Sequence, residues 1–210
     1  MKTHWLTAII VPAVLGLCWF PTAPLRATPP STPCSNENPE PPSPERQDVV
    51  IPRHDLRFEI PQNYESILEE YPGEEEALWI HIRNPTDVAF LNCAIEHRLI
   101  GAGHQVSDVM VKVEPRPGDM QQIDDILTSS PHHRIRDVTP IHIAGEEAIT
   151  WIELSSTAYA YVTYNAALLH PDGEHLIRIF VGNYGMTIAP QDVQVLEMVM
   201  ESFAFPRISP

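Results

Sequence analysis

The chain has 210 residues, in which 28 acidic side chains outnumber 13 basic ones and give a formal net charge of −15. A surface of that sign repels nucleic acid and anionic lipid, so we expect no nucleic-acid partner. The length favours one folded domain with a real core behind shorter N-terminal segments.

The first 27 residues have the layout of a secretory signal peptide. Lys2 supplies a basic start, and an apolar run without charge extends from Trp5 to Phe20. This run has about sixteen residues and contains Pro12, whereas a comfortable membrane span needs about 20. We predict that residues 1–27 are a signal peptide or an N-terminal anchor. We expect the protein to contact a membrane only through this segment. The protein is expected to be exported to the periplasm, a lumen or the cell surface of a bacterium.

The cysteines leave alternatives open. Cys18 ends the stretch Leu-Gly-Leu-Cys, which resembles a bacterial lipoprotein signal, so it is a candidate lipidation site or simply an apolar residue of the leader. In an exported protein, Cys34 and Cys93 could form a disulfide. We expect instead a solvated Cys34 and a buried free thiol at Cys93, because a bridge would tie a flexible tether to a core element.

Residues 28–53 are predicted to be a disordered linker. They are dense in Pro, Ser, Thr, Asn and Glu, and they contain almost no apolar residues to offset the entropy cost of ordering the chain. Such a segment is typical of an extended spacer between an N-terminal anchor and a domain.

Hydrophobic patterns predict one domain over residues 54–210. Apolar and polar residues alternate in the first strand, and apolar residues recur at helical spacing after Thr86. The expected strands cover 55–61, 78–83, 109–113, 135–143, 148–154, 158–169 and 175–181. The expected helical segments are a short turn at 65–71, helices beginning at Thr86 and Pro117, and a last helix from Pro190 to Phe203. The predicted fold class is therefore α+β, an antiparallel β-sheet flanked by helices.

Four stretches of this domain carry a family resemblance. They are FEIPQNY at 58–64, IAGEEA at 143–148, PDGEHLIRIF at 171–180 and VLEMVMESFAF at 195–205. With the order of the elements, they resemble the PsbP-like family of α/β/α sandwiches, which includes the bacterial DcrB-type lipoproteins. The resemblance covers about residues 54–206. It implies a protein that acts by binding other proteins and not by catalysis.

Histidine-containing loops offer candidate metal ligands. Imidazole and carboxylate groups suit zinc or copper when three or four of them converge. His170, Asp172 and His175 span a predicted hairpin turn and could converge, whereas the adjacent His132 and His133 are expected to diverge from a loop. Exposed polar loops are the alternative for both groups. We predict no resident metal or cofactor, with these five residues as the weak candidates.

Two tyrosines are candidate interface residues, and no catalytic constellation is found. Tyr159 and Tyr161 share one face of a predicted strand, where they form either a contact surface or cross-strand packing under a helix. The chain contains no Gly-x-Ser-x-Gly, no His-Glu-x-x-His and no Gly-rich phosphate loop. We therefore assign no catalytic residue and predict that the protein is not an enzyme.

The sequence thus favours an exported, non-catalytic binding or assembly module, with or without a membrane tether, that acts on a protein partner. The alternative is an extracytoplasmic metal- or small-ligand-binding protein, or an enzyme, that uses the histidine-containing loops.

Overall fold

A computed structural model describes most of the chain after the N-terminal region. The described residues are 34–71, 73–74, 76–99, 101, 106–127, 133–155, 161–184 and 187–206. Within these ranges, no helix combines the length and apolar character needed to span a membrane. The predicted leader and its Cys18 lie outside the described residues, so their assignments stay predictions.

Strands dominate the described part. The strands are β1 Arg46–Ile51, β2 Leu56–Pro61, β3 Glu65–Glu69, β4 Leu78–Arg83, β5 Val109–Pro115, β6 His133–Ile143, β7 Glu146–Ser155, β8 Tyr161–Leu169 and β9 His175–Tyr184. The α-helices are α1 Pro85–Glu96 and α2 Pro190–Ser202, and short 3-10 helices cover Pro52–His54 and Ile123–Ile126.

These strands form two antiparallel sheets. β1 and β2 pair as a hairpin, and the other seven strands form one sheet in the order β3-β4-β5-β9-β8-β7-β6. Each neighbouring pair in the larger sheet is antiparallel. The predicted fold class, an antiparallel sheet with helical segments packed against it, is confirmed.

One face of the seven-stranded sheet is covered by α2 and the β1–β2 hairpin. Alternate residues of the central strands point to this face, among them Ile80, Val111 and Ile179, which are fully buried. They share one hydrophobic cluster with Phe58 and Phe203, whose rings stack with centroids 5.8 Å apart. This main core holds the strands in place, so their other side chains are presented together on the opposite face.

That opposite face, named here the pocket face, mixes charged and aromatic side chains. Trp79, Lys112 and Arg178 lie side by side in one register across β4, β5 and β9. Lys112 Nζ lies 4.4 Å from the centre of the Trp79 ring, a cation–π distance. A second, smaller apolar cluster around Met120 and Trp151 lies on the same side of the sheet. The pocket face is thus only partly covered.

The segment before β1 differs from the predicted disordered linker. Cys34 forms a disulfide with Cys93 of α1, so the prediction of two free cysteines is wrong. The Asn36 side-chain amide donates to Asp87 Oδ1 at 2.8 Å. Proline-rich composition prevents a helix here, but polar side chains and a covalent bridge hold the segment against the domain without many apolar residues. β1 then lies inside residues 28–53 and pairs with β2.

Asn84 connects this segment to α1. It is 2% exposed, and its side-chain oxygen accepts the Thr86 backbone N–H at 2.8 Å as the N-cap of the helix. Its amide group donates to Tyr64 Oη at 3.0 Å and to the Glu40 carbonyl. One side chain therefore joins the helix, the sheet and the N-terminal segment.

Asn84→Ala is expected to lower the free energy of unfolding by about 1–2 kcal/mol, because a cap is lost and buried partners are left unsatisfied. Urea denaturation measures the change. Asn38→Ala, at an exposed position, is the control and is expected to stay within about 0.5 kcal/mol of the wild type. Equal effects of the two variants would contradict the role of Asn84.

The predicted helical turn at residues 65–71 is wrong. β3 forms there and pairs with β4, with Glu65 opposite Arg83 and Glu69 opposite Trp79. Without β3, β4 would be an edge strand with a row of unpaired backbone N–H and C=O groups. Tertiary pairing therefore outweighs the weak local preference of this segment.

The predicted helix beginning at Pro117 is also wrong, because the helical segment starts later and is shorter. Only Ile123–Ile126 is helical, and it is a 3-10 helix. Asp125 Oδ2 accepts the backbone N–H groups of Gln121 and Gln122 at 2.6 and 2.9 Å. This local capping closes a short turn, and another turn, closed by the hydrogen bond from the Met120 N–H to the Pro117 carbonyl, precedes it on the pocket face.

Candidate functional site

A pocket of about 650 Å³ opens on the pocket face of the sheet. It lies between the segment that contains the second 3-10 helix and strands β5, β6, β7 and β9. The lining residues are Glu114, Pro117, Asp119, Met120, Asp125, Ile126, His133, Ile135, Trp151, Glu153, Leu176 and Arg178.

The register of the sheet positions the apolar residues that form the floor of this pocket. Trp151 lies near the middle of β7 and is 2% exposed, and Leu176 at the start of β9 is equally buried. Ile135 of β6 is opposite Glu153 of β7. Met120 packs in the same cluster as Trp151 and Leu176. An apolar floor and a polar rim are the usual composition of a ligand pocket.

Two hydrogen-bond donors of this pocket have no acceptor among the described residues. They are the indole N–H of Trp151 and the Nε–H of Arg178, both buried atoms. Leaving a buried donor unsatisfied costs about 1–3 kcal/mol. Arg178 also forms no salt bridge within the described ranges and only packs its guanidinium over the Phe180 ring at 5.3 Å. Both atoms are shielded from solvent, so a ligand oxygen would reach them only after the side chains that cover them move.

Three acidic groups on the rim, those of Glu114, Asp125 and Glu153, have partners, unlike those two donors. Glu114 binds Lys112 Nζ at 2.7 Å, and Glu153 contacts His133 Nδ1. Hydrogen bonds from two backbone N–H groups lower the pKa of Asp125, so it stays ionised. The rim is therefore negatively charged and favours a ligand that also carries a positive group.

The structure places the predicted site residues in separate regions. His133 lies on the pocket, with its ring perpendicular to that of Tyr161 at a centroid distance of 6.2 Å. Its predicted neighbours His132 and Tyr159 lie outside the described residues. Tyr161 is half-buried beside the pocket, so its interface role stays a prediction.

His170, Asp172 and His175, the other predicted group of metal ligands, do lie close together. In the turn between β8 and β9, Asp172 Oδ2 lies 2.7 Å from His175 Nδ1 and 2.9 Å from His170 Nδ1. Asp172 Oδ1 accepts the backbone N–H of Glu174 at 2.8 Å. Burial raises the pKa of Asp172, but hydrogen bonds from His175 and the backbone outweigh this and lower it to about 2. The carboxylate is thus ionised between two imidazoles.

A third polar network lies at the β4 end of the pocket face. His81 Nδ1 lies 2.9 Å from Asp108 Oδ2, and its Nε2 lies 3.1 Å from Tyr71 Oη. Arg83 Nε also donates to Asp108, at 2.9 Å. Burial and the neighbouring Glu69 raise the pKa of Tyr71 to about 12. A phenol that holds its proton this firmly is a poor nucleophile, so the geometry favours a structural network.

Comparisons with known proteins give no assignment. No family model matches the chain, and no curated protein matches it. Among solved structures it is similar to the Ran-binding protein Mog1p of Saccharomyces cerevisiae, with a TM-score of 0.46 and 9% identity over 77% of this chain and 95% of that chain. It is also similar to LpqN of Mycobacterium tuberculosis, involved in cell envelope biogenesis, with a TM-score of 0.32 and 11% identity over 79% of this chain and 85% of that chain. At this level neither function transfers to this chain, and membership of the PsbP-like family stays a prediction.

Sequence reasoning missed the two residues that define the pocket. The apolar run that contains Trp151 indicates a buried side chain, and the structure shows in addition that its buried N–H group lacks an acceptor among the described residues. Arg178 is one of the polar residues that alternate with apolar residues in a predicted strand. The only signal in the sequence is an arginine on the face of β9 that also presents Phe180, and such a signal is common in half-buried strands.

Proposed function

We propose that this protein is an exported, non-catalytic binding module that holds a segment of a protein partner in the pocket beside Trp151. Export is supported by the leader-like residues 1–27 and by the Cys34–Cys93 disulfide, since disulfides persist mainly in oxidising compartments. The proposed location is the periplasm, a lumen or the cell surface of a bacterium.

The unsatisfied donors of Trp151 and Arg178 carry this proposal. A carboxylate of the partner, with one oxygen for each donor, would accept from them once the covering side chains move, and an apolar side chain of the partner would pack on Leu176 and Ile135. The acidic rim adds a preference for a nearby Lys, Arg or free amino group.

Site-specific photo-crosslinking in cells tests this function. A benzophenone amino acid replaces Ile126 on the pocket rim, and in a second strain it replaces Val50, which is 52% exposed on β1 outside the pocket. We expect one discrete crosslinked protein from position 126 and none from position 50. The same product from both positions, or no product from position 126, would contradict the proposal.

Arg178→Gln is expected to reduce that crosslink at least about tenfold, because a hydrogen bond to a charged donor contributes about 1.5–3 kcal/mol. Arg136→Gln, on the exposed part of β6, is the matched control and should leave the crosslink unchanged. Since Arg178 has no ion pair among the described residues, its replacement should alter stability by less than about 1 kcal/mol. An undiminished crosslink in folded Arg178→Gln protein would argue against this site.

A further inference from the structure

The turn between β8 and β9 brings three metal-binding side chains together at a distance from the pocket. One ligand atom each of His170, Asp172 and His175 lies within 4.8 Å of the other two. β7 and β8 pair with Ser155 opposite Tyr161 and Ala148 opposite Leu168, so this turn and the pocket histidine His133 are at opposite ends of the strands. Leu176, which follows His175, lines the pocket, but successive side chains of β9 point to opposite faces of the sheet, so the His175 side chain lies on the other face.

The hydrogen bonds of His170 assign the positions of its proton and its lone pair. Nε2 lies 2.9 Å from the backbone oxygen of His54, which can only accept, so Nε2 carries the proton. Nδ1 lies 3.1 Å from the backbone N–H of Asp172 and therefore holds the lone pair. Histidines that bind metals show the same arrangement, in which the other ring N–H donates to a backbone carbonyl and fixes the ring.

In this tautomer the one lone pair of His170 Nδ1 accepts the Asp172 backbone N–H, and the Asp172 carboxylate lies beside the same nitrogen. The lone pair of His170 Nδ1 and the negatively charged Asp172 Oδ2 are 2.9 Å apart, and the His170 side chain is only 9% exposed. The proton on His175 Nδ1 can satisfy Asp172 but does not reach the contact between His170 and Asp172. A cation placed among the three groups would take the Nδ1 lone pair in place of the Asp172 N–H and would be shared by the two imidazoles and the carboxylate.

The chemical types of the three ligand atoms indicate which cation the group binds. Two imidazole nitrogens and one carboxylate oxygen suit zinc, whereas calcium and magnesium prefer oxygen ligands alone. Zinc bonds of about 2.0–2.2 Å place tetrahedral ligand atoms about 3.3 Å apart. The present distances of 2.7 and 2.9 Å reach this value after an outward movement of the exposed carboxylate by roughly half an ångström.

A third imidazole lies next to the group. His54 belongs to the 3-10 helix between β1 and β2, and its ring centroid is 5.2 Å from that of His175. Phe205 packs edge-on against His170 at 4.9 Å and holds that ring in place. A fourth zinc ligand can thus come from His54 or from water. Ligands drawn from two hairpins would also connect the two sheets.

We infer that the β8–β9 turn binds one zinc ion through His170, Asp172 and His175. The site is independent of the proposed partner pocket, so either proposal can fail without the other. It binds the ion at the surface of the domain, where Asp172 and His175 are accessible to solvent.

Zinc titration of the purified, tag-free protein by calorimetry tests the inference. We expect one zinc ion per chain, and weakening by at least about 30-fold in His175→Gln and in Asp172→Asn, since even loss of a supporting contact costs 10–100-fold. Asp172→Asn keeps a side-chain oxygen that can accept the backbone hydrogen bonds of the turn. It therefore tests the site even if His175→Gln misfolds. His142→Gln, at an exposed histidine of β6, is the matched control and should bind like the wild type.

Cobalt(II) and X-ray absorption identify the ligands. Cobalt in the wild-type protein should give the visible absorption of a tetrahedral nitrogen and oxygen site, and zinc absorption spectra should show imidazole ligands. The inference is overturned if the wild type binds no zinc at millimolar concentration. It is also overturned if both variants bind zinc as tightly as the wild type, because the ion then lies elsewhere.

Discussion

Removal of the Cys34–Cys93 disulfide in a double serine variant is expected to lower the free energy of unfolding by about 3–4 kcal/mol. The two cysteines are 59 positions apart, and a loop of this size corresponds to about 4 kcal/mol of chain entropy near room temperature. A covalent link between such distant positions removes many conformations from the unfolded chain, and this raises its free energy.

Contacts of Cys34 in the folded protein add to the stabilisation by the disulfide. Cys34 is 5% exposed and forms a small cluster with Phe90 and Ala94 of α1. Without the bridge, the N-terminal segment is held mainly by side-chain hydrogen bonds such as Asn36 to Asp87. These bonds are only part-buried and no sheet pairing holds residues 34–45, so we expect this segment to detach before the sheet unfolds.

Urea denaturation with and without reductant measures the contribution of the disulfide. Reduced wild-type protein should match the double serine variant, and reductant should leave that variant unchanged. Cys18→Ser is the control for the remaining cysteine and should behave like the wild type. If oxidised and reduced wild type unfold at the same urea concentration, the bridge does not form or does not stabilise the fold.

Asp192→Asn is expected to raise the free energy of unfolding at neutral pH by about 2 kcal/mol. Asp192 lies in the first turn of α2 and is 6% exposed. Burial raises its pKa to about 6, a hydrogen bond from Ser107 opposes the shift, and the charges of Asp87 and Asp108 add to it. The ionised carboxylate is therefore unfavourable in the folded protein, and an amide of the same shape removes the cost.

The sign of the pH dependence follows from this raised pKa. Between its ordinary value of 3.8 and its folded value of about 6, Asp192 binds a proton more tightly in the folded state than in the unfolded state. Its contribution to stability is fully present below about pH 4 and is lost as pH rises through 6. The favourable interaction of a charge with the helix N-terminus, about 0.3–1 kcal/mol, reduces the net effect.

Unfolding curves of wild type and Asp192→Asn between pH 4 and pH 8 separate this group from the other carboxylates. The difference between the two proteins should be small at pH 4 and should reach its maximum above pH 6. Asp124→Asn, at an exposed position, is the control and should give a small difference that does not vary with pH. A constant difference for Asp192→Asn would show that the substitution acts through packing and not through charge.

Local pattern was sufficient for most of the elements. β4 has the bounds predicted from its apolar run, and β9 begins at the predicted His175. In these strands the apolar residues alternate in the sequence because alternate side chains point into one core. The turn Pro171-Asp172-Gly173 is also a local feature, since its Gly residue adopts a φ of 75°.

Features that depend on partners distant in the chain were predicted poorly. β3 exists because β4 offers it a free edge, and its own residues carry little signal. The segment after Cys34 is held by α1, whose side chains are about fifty positions away. A composition argument counts only apolar residues, so it cannot register a disulfide or a set of polar contacts.

The sequence by itself determined the α+β class and the positions of most strands, and it indicated that His170, Asp172 and His175 could converge, because each depends on residues within one element or one turn. Only the tertiary structure decided that His54 joins that group and that the Trp151 and Arg178 donors lack acceptors. Whether a buried polar atom has a partner depends on atoms contributed by several strands at once. That property is set by the packing of the whole domain and cannot be predicted from any single stretch of the sequence.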